Sequence, residues 1–486
     1  MKNSNLFLLI NMLSGMGYSL AAPLFPSLGK PGELTEEILG WIISTYSLAG
    51  CLLTPFVPYL TNKYPRVTLL IISTFLEAVC TFLYGFLNYL DDNYYILIII
   101  IFTLRIIHGT CSAIIGVLVY SLTISLTDES EVELALGSLE IAWSVGTSTG
   151  PLFASFFYNF GGYSLPFLFL GGILFISVFL ANQIHSEKLN EENDDEEQNP
   201  SFIRFLKYPK IFLILIGFII VMILASFYFP CLTNHLKNNY SLSTSVSSLF
   251  FVMPIASYIL ILQFLDYLTS KFGLYSIYSF GLIVSTLSPL FLYPCPPIPR
   301  FIPCIVFGFL LNGIGQAPVF IPGLVALSNN IRKIDVDINE LIANDISSAV
   351  NTLTIYIGEF VGPIIGGFLS FKYDFKYCCF FMFIIGATFT GIFIGCFLGQ
   401  IKDEVAHLFK GKENDVQIYE NETSFREGLI NSQIMSKSLQ INAETSWHFK
   451  FEVLSSRRNR TVKRRGTIKN TSLNHNFSHS LLSSIN

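Results

Sequence analysis

The chain has 486 residues, of which 52 % are apolar and only 13 % charged, and its formal net charge at pH 7 is −5. That balance excludes an ordinary soluble globular protein and a basic nucleic-acid binder alike. The charges gather in a central connector and near the C-terminal end, and the stretches between them form apolar blocks long enough to cross ~30 Å of hydrocarbon. An all-α integral membrane protein follows, with twelve predicted spans at 5–28, 36–61, 66–90, 94–125, 132–158, 163–184, 210–233, 244–265, 273–293, 301–329, 343–371 and 375–400.

The first span carries Pro23 and Pro26, exceeds the length of a signal-peptide core and meets no small-residue cleavage site, so it reads as a retained helix. Glu77 lies in the third span and reads as a peripheral carboxyl with a local hydrogen-bond partner. Arg105 falls in the fourth span, roughly 16 Å below its outer start at about 1.5 Å per residue. His108, one turn on, reads as a hydrogen-bonded packing residue. In the fifth span Glu140 lies some ~12 Å above the inner start. Antiparallel neighbours bring Arg105 and Glu140 to similar depth, and charges in hydrocarbon cost several kcal/mol unless paired, so an Arg105–Glu140 ion pair is expected. Such a pair serves either as a static strut or as a proton-sensitive latch.

The fifth span continues through Gly146-Thr147-Ser148-Thr149-Gly150-Pro151. Glycines four apart leave a groove on one helix face where a second helix approaches closely. Residues 1–184 thus form one six-span half, and 185–209 a solvated cytoplasmic linker with the acidic run Glu191-Glu192-Asn193-Asp194-Asp195-Glu196-Glu197.

The second half, 210–401, repeats the pattern. Tyr267-Leu268-Thr269-Ser270-Lys271-Phe272-Gly273 echoes Tyr59-Leu60-Thr61-Asn62-Lys63-Tyr64-Pro65. The eleventh span carries Gly358-Glu359-Phe360-Val361-Gly362-Pro363-Ile364-Ile365-Gly366-Gly367, a fuller copy of the glycine-proline phrase of the fifth. Two phrases at nearly one offset mark an internal duplication, and halves that run in the same direction are the parallel-repeat plan of a two-halved transporter. Glu359 stands where the first copy has Thr147, and reads as a proton- or cation-binding carboxylate or as one buried against helix ends. Asn312 and Gln316, near mid-depth in the tenth span, either orient a solute or join helices.

Residues 402–486 form a polar tail with basic clusters at Arg457–Arg460 and Lys463–Arg465, read as disordered; contact with anionic lipid and phosphorylation at Thr467 are the lesser readings. The inner loops hold more Lys and Arg than the outer ones, which predicts cytoplasmic termini. Asn239 is then the outward glycosylation candidate, while Cys231 and Cys295 near outer ends read as two apolar thiols rather than a pair. The nine cysteines show no metal-ligand spacing, and no metal or cofactor is expected.

Arg105-Ile106-Ile107-His108-Gly109 resembles the fourth-helix R-x-x-x-G motif of the major facilitator superfamily, and the glycine-proline phrases resemble its fifth-helix antiporter motif. The loop motif after the second helix is degraded, with Pro58, Asn62, Lys63, Pro65 and Arg66 where G, D, R, G and R are usual. Leu136-Gly137-Ser138-Leu139-Glu140, Gly150-Pro151, Phe157-Tyr158, Gly162-Tyr163, Pro166-Phe167, Pro209-Lys210 and Pro254-Ile255-Ala256-Ser257-Tyr258 are similar to solute carrier family 18, the vesicular amine transporters, and within it to the polyamine-transporter-like branch. The likeness covers about residues 5–400 and raises Glu140 above Glu359 as a functional residue. Ser14 stands where vesicular monoamine transporters carry a first-helix acid, and Asn351 and Thr352 where they carry one in the eleventh.

The expected function is proton-coupled antiport of a small organic solute, an amine or organic cation favoured, by rocking of the halves about a midplane site. The alternatives are an uncoupled facilitator and a transporter-fold solute sensor that signals through its tail. No H-E-x-x-H, G-x-S-x-G or Walker A pattern points to an enzyme. Expected partners are the solute, the coupling proton and membrane lipid, with no nucleic acid. The sequence does not decide between the plasma membrane and a vesicular or vacuolar one.

Overall fold

The computed structural model describes residues 3–28, 34–90, 94–127, 132–182, 202–293, 301–334 and 340–409. The chain divides into two units, Met1–Leu429 and Ile430–Asn486, and every described residue belongs to the first. Residues 185–201 of the linker expected at 185–209, and the tail beyond Phe409 with its basic clusters and Thr467, lie outside the described residues, as does Cys295.

The described residues form fifteen α-helices. Those before the linker are α1 (Asn3–Leu24), α2 (Glu36–Leu53), α3 (Val57–Lys63), α4 (Arg66–Tyr84), α5 (Tyr94–Leu126), α6 (Val132–Gly161) and α7 (Ser164–Ala181). After it come α8 (Pro209–Ser226), α9 (Leu232–Tyr240), α10 (Thr244–Leu249), α11 (Val252–Phe272), α12 (Leu274–Leu292), α13 (Ile302–Ile334), α14 (Glu340–Tyr373) and α15 (Phe375–Phe409). Among the described residues, eleven segments are long and apolar enough to cross a bilayer. With the 30-residue α6, whose Glu133, Glu140 and small polar residues dilute its hydropathy, they make up the twelve crossings of two parallel-related six-helix halves.

Proline explains where single expected spans break. Pro55 and Pro58 lack the N–H that a continuing helix needs, so the second span passes through a short 3-10 turn, Thr54–Phe56, into the separate α3. The seventh stops at Ser226, and Pro230 sits in the turn that leads to α9. The eighth is divided into α10 and α11 around Phe250 and Phe251, with Pro254 in the first turn of α11. The last helix runs on to Phe409, past the expected end at 400. Its Glu404 carboxylate accepts hydrogen bonds from the backbone N–H groups of Tyr275 (3.0 Å) and Ser276 (2.8 Å), and so caps α12.

Large apolar side chains such as Ile99, Phe160, Phe179 and Leu260 are exposed, as a lipid-facing surface requires. The interior is apolar within each half. Leu20, Leu24, Phe25, Ile101, Phe167 and Leu170 pack together in the first, and Ile214, Phe218, Tyr278, Phe393 and Phe397 in the second. The halves meet through α2 against α14 and through α10 and α11 against α6. Thr233 donates to the Pro23 carbonyl and Ser245 to the Asn159 side chain, both at the end of the bundle remote from Asn3 and Phe409.

Candidate functional site

The R-x-x-x-G spacing on α5 has a direct physical reading. Residues four apart share one helix face, and here that face lies on the backbone of α2. Fully buried Arg105 donates from Nε to the Ile42 carbonyl (3.2 Å) and from Nη2 to the Ile43 carbonyl (2.9 Å). One turn on, Gly109 sits so close to the Tyr46 carbonyl that a Cβ there would collide with it. The close approach that Gly109 permits brings α2 within reach of the guanidinium. Arg105 also lies 4.8 Å from the Tyr46 ring centroid and 5.6 Å from that of Phe25, and its Nη1 has no hydrogen-bond partner among the described residues. Backbone carbonyls and aromatic faces thus contact the guanidinium that is expected to pair with Glu140. The Glu140 side chain lies outside the described residues, so only its position on α6 is fixed.

Glu359 projects from α14 into the interface between the halves. Tyr18 of α1 donates to its Oε1 at 2.7 Å, and Ser47 of α2 to its Oε2 at 3.1 Å. A carboxylate of the second half is thus held by two hydroxyls of the first. Around it the Tyr18 ring lies 5.1 Å from Tyr46 and 6.2 Å from Trp143, and a Cβ at Gly50 would touch the ring of Tyr356, three residues before Glu359. Glu359, Tyr18, Trp143 and Tyr356 are half-buried rather than sealed. A carboxylate among tyrosine and tryptophan faces suits an ammonium or a proton.

Glu77 corrects the peripheral reading of the third span. It is fully buried, accepts from Ser14 of α1 at 2.7 Å, and lies 3.2 Å from Nε2 of the equally buried His108 on α5. The Nδ1 of His108 is 3.3 Å from the Tyr84 hydroxyl. Whatever the place of the helix in its half, this face of it points inward. The tenth span behaves as a joining element: buried Asn312 donates to the Leu224 carbonyl of α8 at 2.9 Å, and Gln316 donates to Asn312 Oδ1 at 2.6 Å. Asn239, the glycosylation candidate, lies in α9 with its side chain 2.8 Å from His235 Nδ1, and Cys231 is a buried free thiol.

The two glycine-proline phrases do the same mechanical work in each half. A Cβ on Gly146 would strike the Met12 carbonyl of α1, and one on Gly150 would strike Ser19. In the second half, Gly358 faces Met222 and Gly362 faces Ser226 of α8, and Gly366 faces the Phe227 carbonyl just beyond it. Gly367 lies on the opposite side, against the Glu36 carbonyl of α2, beside the contact of Gly40 with the Pro363 carbonyl. The fuller second copy is thus explained: α14 packs closely on two helices, one in each half. Pro151 and Pro363 sit inside α6 and α14 without ending either.

Sequence reasoning passed over Tyr18, Ser47 and Trp143, and noted Ser14 only as the place of an acid in related transporters. Hydroxylic and aromatic residues are common in spans, and only the one-turn offset of Tyr18 from Ser14 on α1 set them on a shared face.

Comparison with known proteins agrees with this architecture. Over 386 residues the chain is 26 % identical to the MFS-type transporter SLC18B1 of Mus musculus, covering 76 % of this chain and 80 % of that protein. It is 24 % identical over 217 residues to Multidrug resistance protein 2 of Bacillus subtilis (strain 168), covering 43 % of this chain and 51 % of that one. Among solved structures, the nucleoside transporter NupG superposes with a TM-score of 0.63 at 13 % identity, covering 85 % of this chain and all of NupG. A bacterial homologue of the human lysosomal transporter Spinster, in an inward-facing and unoccupied conformation, superposes with a TM-score of 0.58 at 11 % identity, covering 89 % of this chain and 97 % of that one. The family model of the Major Facilitator Superfamily matches twice, over residues 7–335 and 214–458. The chain belongs to the Major Facilitator Superfamily.

Proposed function

We propose that this chain is a secondary transporter that exchanges protons for a small organic cation by alternating access, with Glu359 binding the proton and the cation in turn. One observation carries the reading: the Glu359 carboxylate of α14 is held by Tyr18 and Ser47 across the two halves, in a half-open aromatic setting. Protonation removes the charge that makes those hydrogen bonds strong. A bound ammonium competes for the same oxygens. Either event loosens a contact between the halves at mid-depth, which couples occupancy to their rocking. The likeness to SLC18B1 supports transport, and the positive-inside bias supports cytoplasmic termini. Glu140 enters as a second carboxyl on the facing half, its contribution separable by mutation.

The test uses the full chain reconstituted into lipid vesicles, with uptake of a panel of labelled amines measured with and without an imposed pH gradient. Wild type accumulates at least one amine only when the gradient is present. Glu359→Gln loses that accumulation and binds the amine about 10- to 150-fold more weakly, the equivalent of ~1.5–3 kcal/mol for a charged hydrogen bond. Glu140→Gln retains binding and weakens the dependence on the gradient. Gradient-driven accumulation that survives Glu359→Gln overturns the assignment. Equilibration without accumulation in wild type identifies an uncoupled facilitator, and saturable binding without flux a sensor.

A further inference from the structure

We propose that Glu77 and His108 form a second proton-binding site, enclosed within the first half and separate from Glu359. Its existence is independent of the transport reading; only its part in coupling rests on that reading.

The two side chains are fully buried and 3.2 Å apart, joined through Glu77 Oε1. Ser14 donates to that same oxygen, while Oε2 has no partner among the described residues. The groups that face the pair include one fixed charge, which makes no direct ion pair with Glu77 among the described residues. On α4 these are Cys80 and Tyr84, on α2 Tyr46, and on α5 Cys111 and Arg105. Of these Arg105 alone is a permanent cation, and its Nε and Nη2 are committed to the carbonyls of Ile42 and Ile43. Against α4, the helix α7 has no titratable residue between Ser164 and Ala181, and α1 has Tyr18 alone.

The charge count then decides what the pair does. A neutral imidazole beside a carboxylate leaves one net negative charge in a dry interior, which is costly. One added proton, on either His108 or Glu77 Oε2, makes the pair neutral overall. Histidine titrates nearest to physiological pH, and its Nδ1 faces a Tyr84 hydroxyl that can donate or accept, so both forms are satisfied. No bond other than that to the proton changes.

The pair also lies at one end of a polar path toward Glu359. Ser14 Oγ is 3.1 Å from Ser112 Oγ, and Tyr46 donates to Ser112 at 2.7 Å. The Tyr46 ring abuts Tyr18, whose hydroxyl bonds Glu359. The hydrogen-bonded chain from Glu77 thus ends at the Tyr46 hydroxyl, and a ring contact carries it on to the tyrosine that holds Glu359, which gives the transporter a proton store beside its solute site.

The test is a pH titration of the full chain in lipid vesicles, labelled with 15N-histidine and followed by solid-state NMR, with His108 assigned by its loss in His108→Gln. In both the parent and Glu359→Gln, the His108 signal changes between about pH 5 and 8. Glu77→Gln moves its midpoint by about one unit or more, as loss of an adjacent carboxylate does. Glu77→Asp, which keeps the charge at shorter reach, moves it less and covers the case in which Glu77→Gln fails to fold. A His108 signal that stays fixed across that range in the parent overturns the proposal, as does a midpoint unchanged in both Glu77 variants. Disappearance of the titration in Glu359→Gln also overturns it, because a single site would then account for both. A titrating pair in a chain that shows no proton-driven uptake leaves this site standing and removes the coupling role proposed for Glu359.

Discussion

Arg105→Ala abolishes transport and destabilises the folded protein by about 2–5 kcal/mol, the range for a large side chain deleted from a packed interior. The Arg105 side chain is the largest fully buried one among the described residues, so its loss opens a void between α5 and α2. The void also removes the support beneath Tyr46, whose hydroxyl bonds Ser112 and whose ring abuts Tyr18. Arg105 lies within electrostatic reach of Glu359, so the same change alters the charge balance at the carboxylate. Arg105→Lys is no rescue. An ammonium keeps the charge but lacks the planar fork that bridges two successive carbonyls. Thermal unfolding of the purified variants together with vesicle uptake checks this. If Arg105→Lys matches wild type in both, the fork geometry is irrelevant and a point charge at this depth suffices.

How legible this was in the sequence depended on how each interaction is encoded. Close helix packing leaves a strong trace, because only glycine tolerates a backbone in contact. Gly146, Gly150, Gly362 and Gly366 could accordingly be read as points of close approach, and all of them meet a neighbouring stretch of chain at short range. The burial of Arg105 followed from its depth in an apolar block. Its contacts with the Ile42 and Ile43 carbonyls did not, because a main-chain carbonyl has no letter in the sequence. Glu77 was placed at the periphery because its helix is expected there, but the rotation of a helix about its own axis decides which way one side chain points. A span with few polar residues carries little information on that rotation. Tyr18 and Ser47 were harder still: their role exists only through Glu359, hundreds of residues away in the chain.

The second large effect concerns the glycine phrase of α14, where the substitutions should form a graded series. Gly366→Ala is more damaging than Gly362→Ala, although both residues face the same stretch of chain at and beyond the end of α8. At Gly362 an added Cβ meets first the Ser226 hydroxyl, which can rotate away, and then the Ile223 carbonyl at 3.1 Å, a tight but tolerable distance. At Gly366 the first three atoms met all belong to the Phe227 backbone, which cannot move without shifting the chain beyond α8. Phe227 itself is fully buried in the cluster with Leu232, Phe375 and Met382, so that shift disturbs the core of the second half. Overpacking of this kind costs about 1–3 kcal/mol where neighbours can relax, and more where they cannot. Gly362→Ala therefore folds with reduced stability, whereas Gly366→Ala and both leucine variants yield little folded protein. Size-exclusion profiles of fluorescently tagged variants give the yield of folded protein directly. Equal profiles for Gly362→Ala and Gly366→Ala would mean that backbone contact at Phe227 does not limit the packing of α14 on α8. A well-folded Gly366→Leu would remove the close approach altogether.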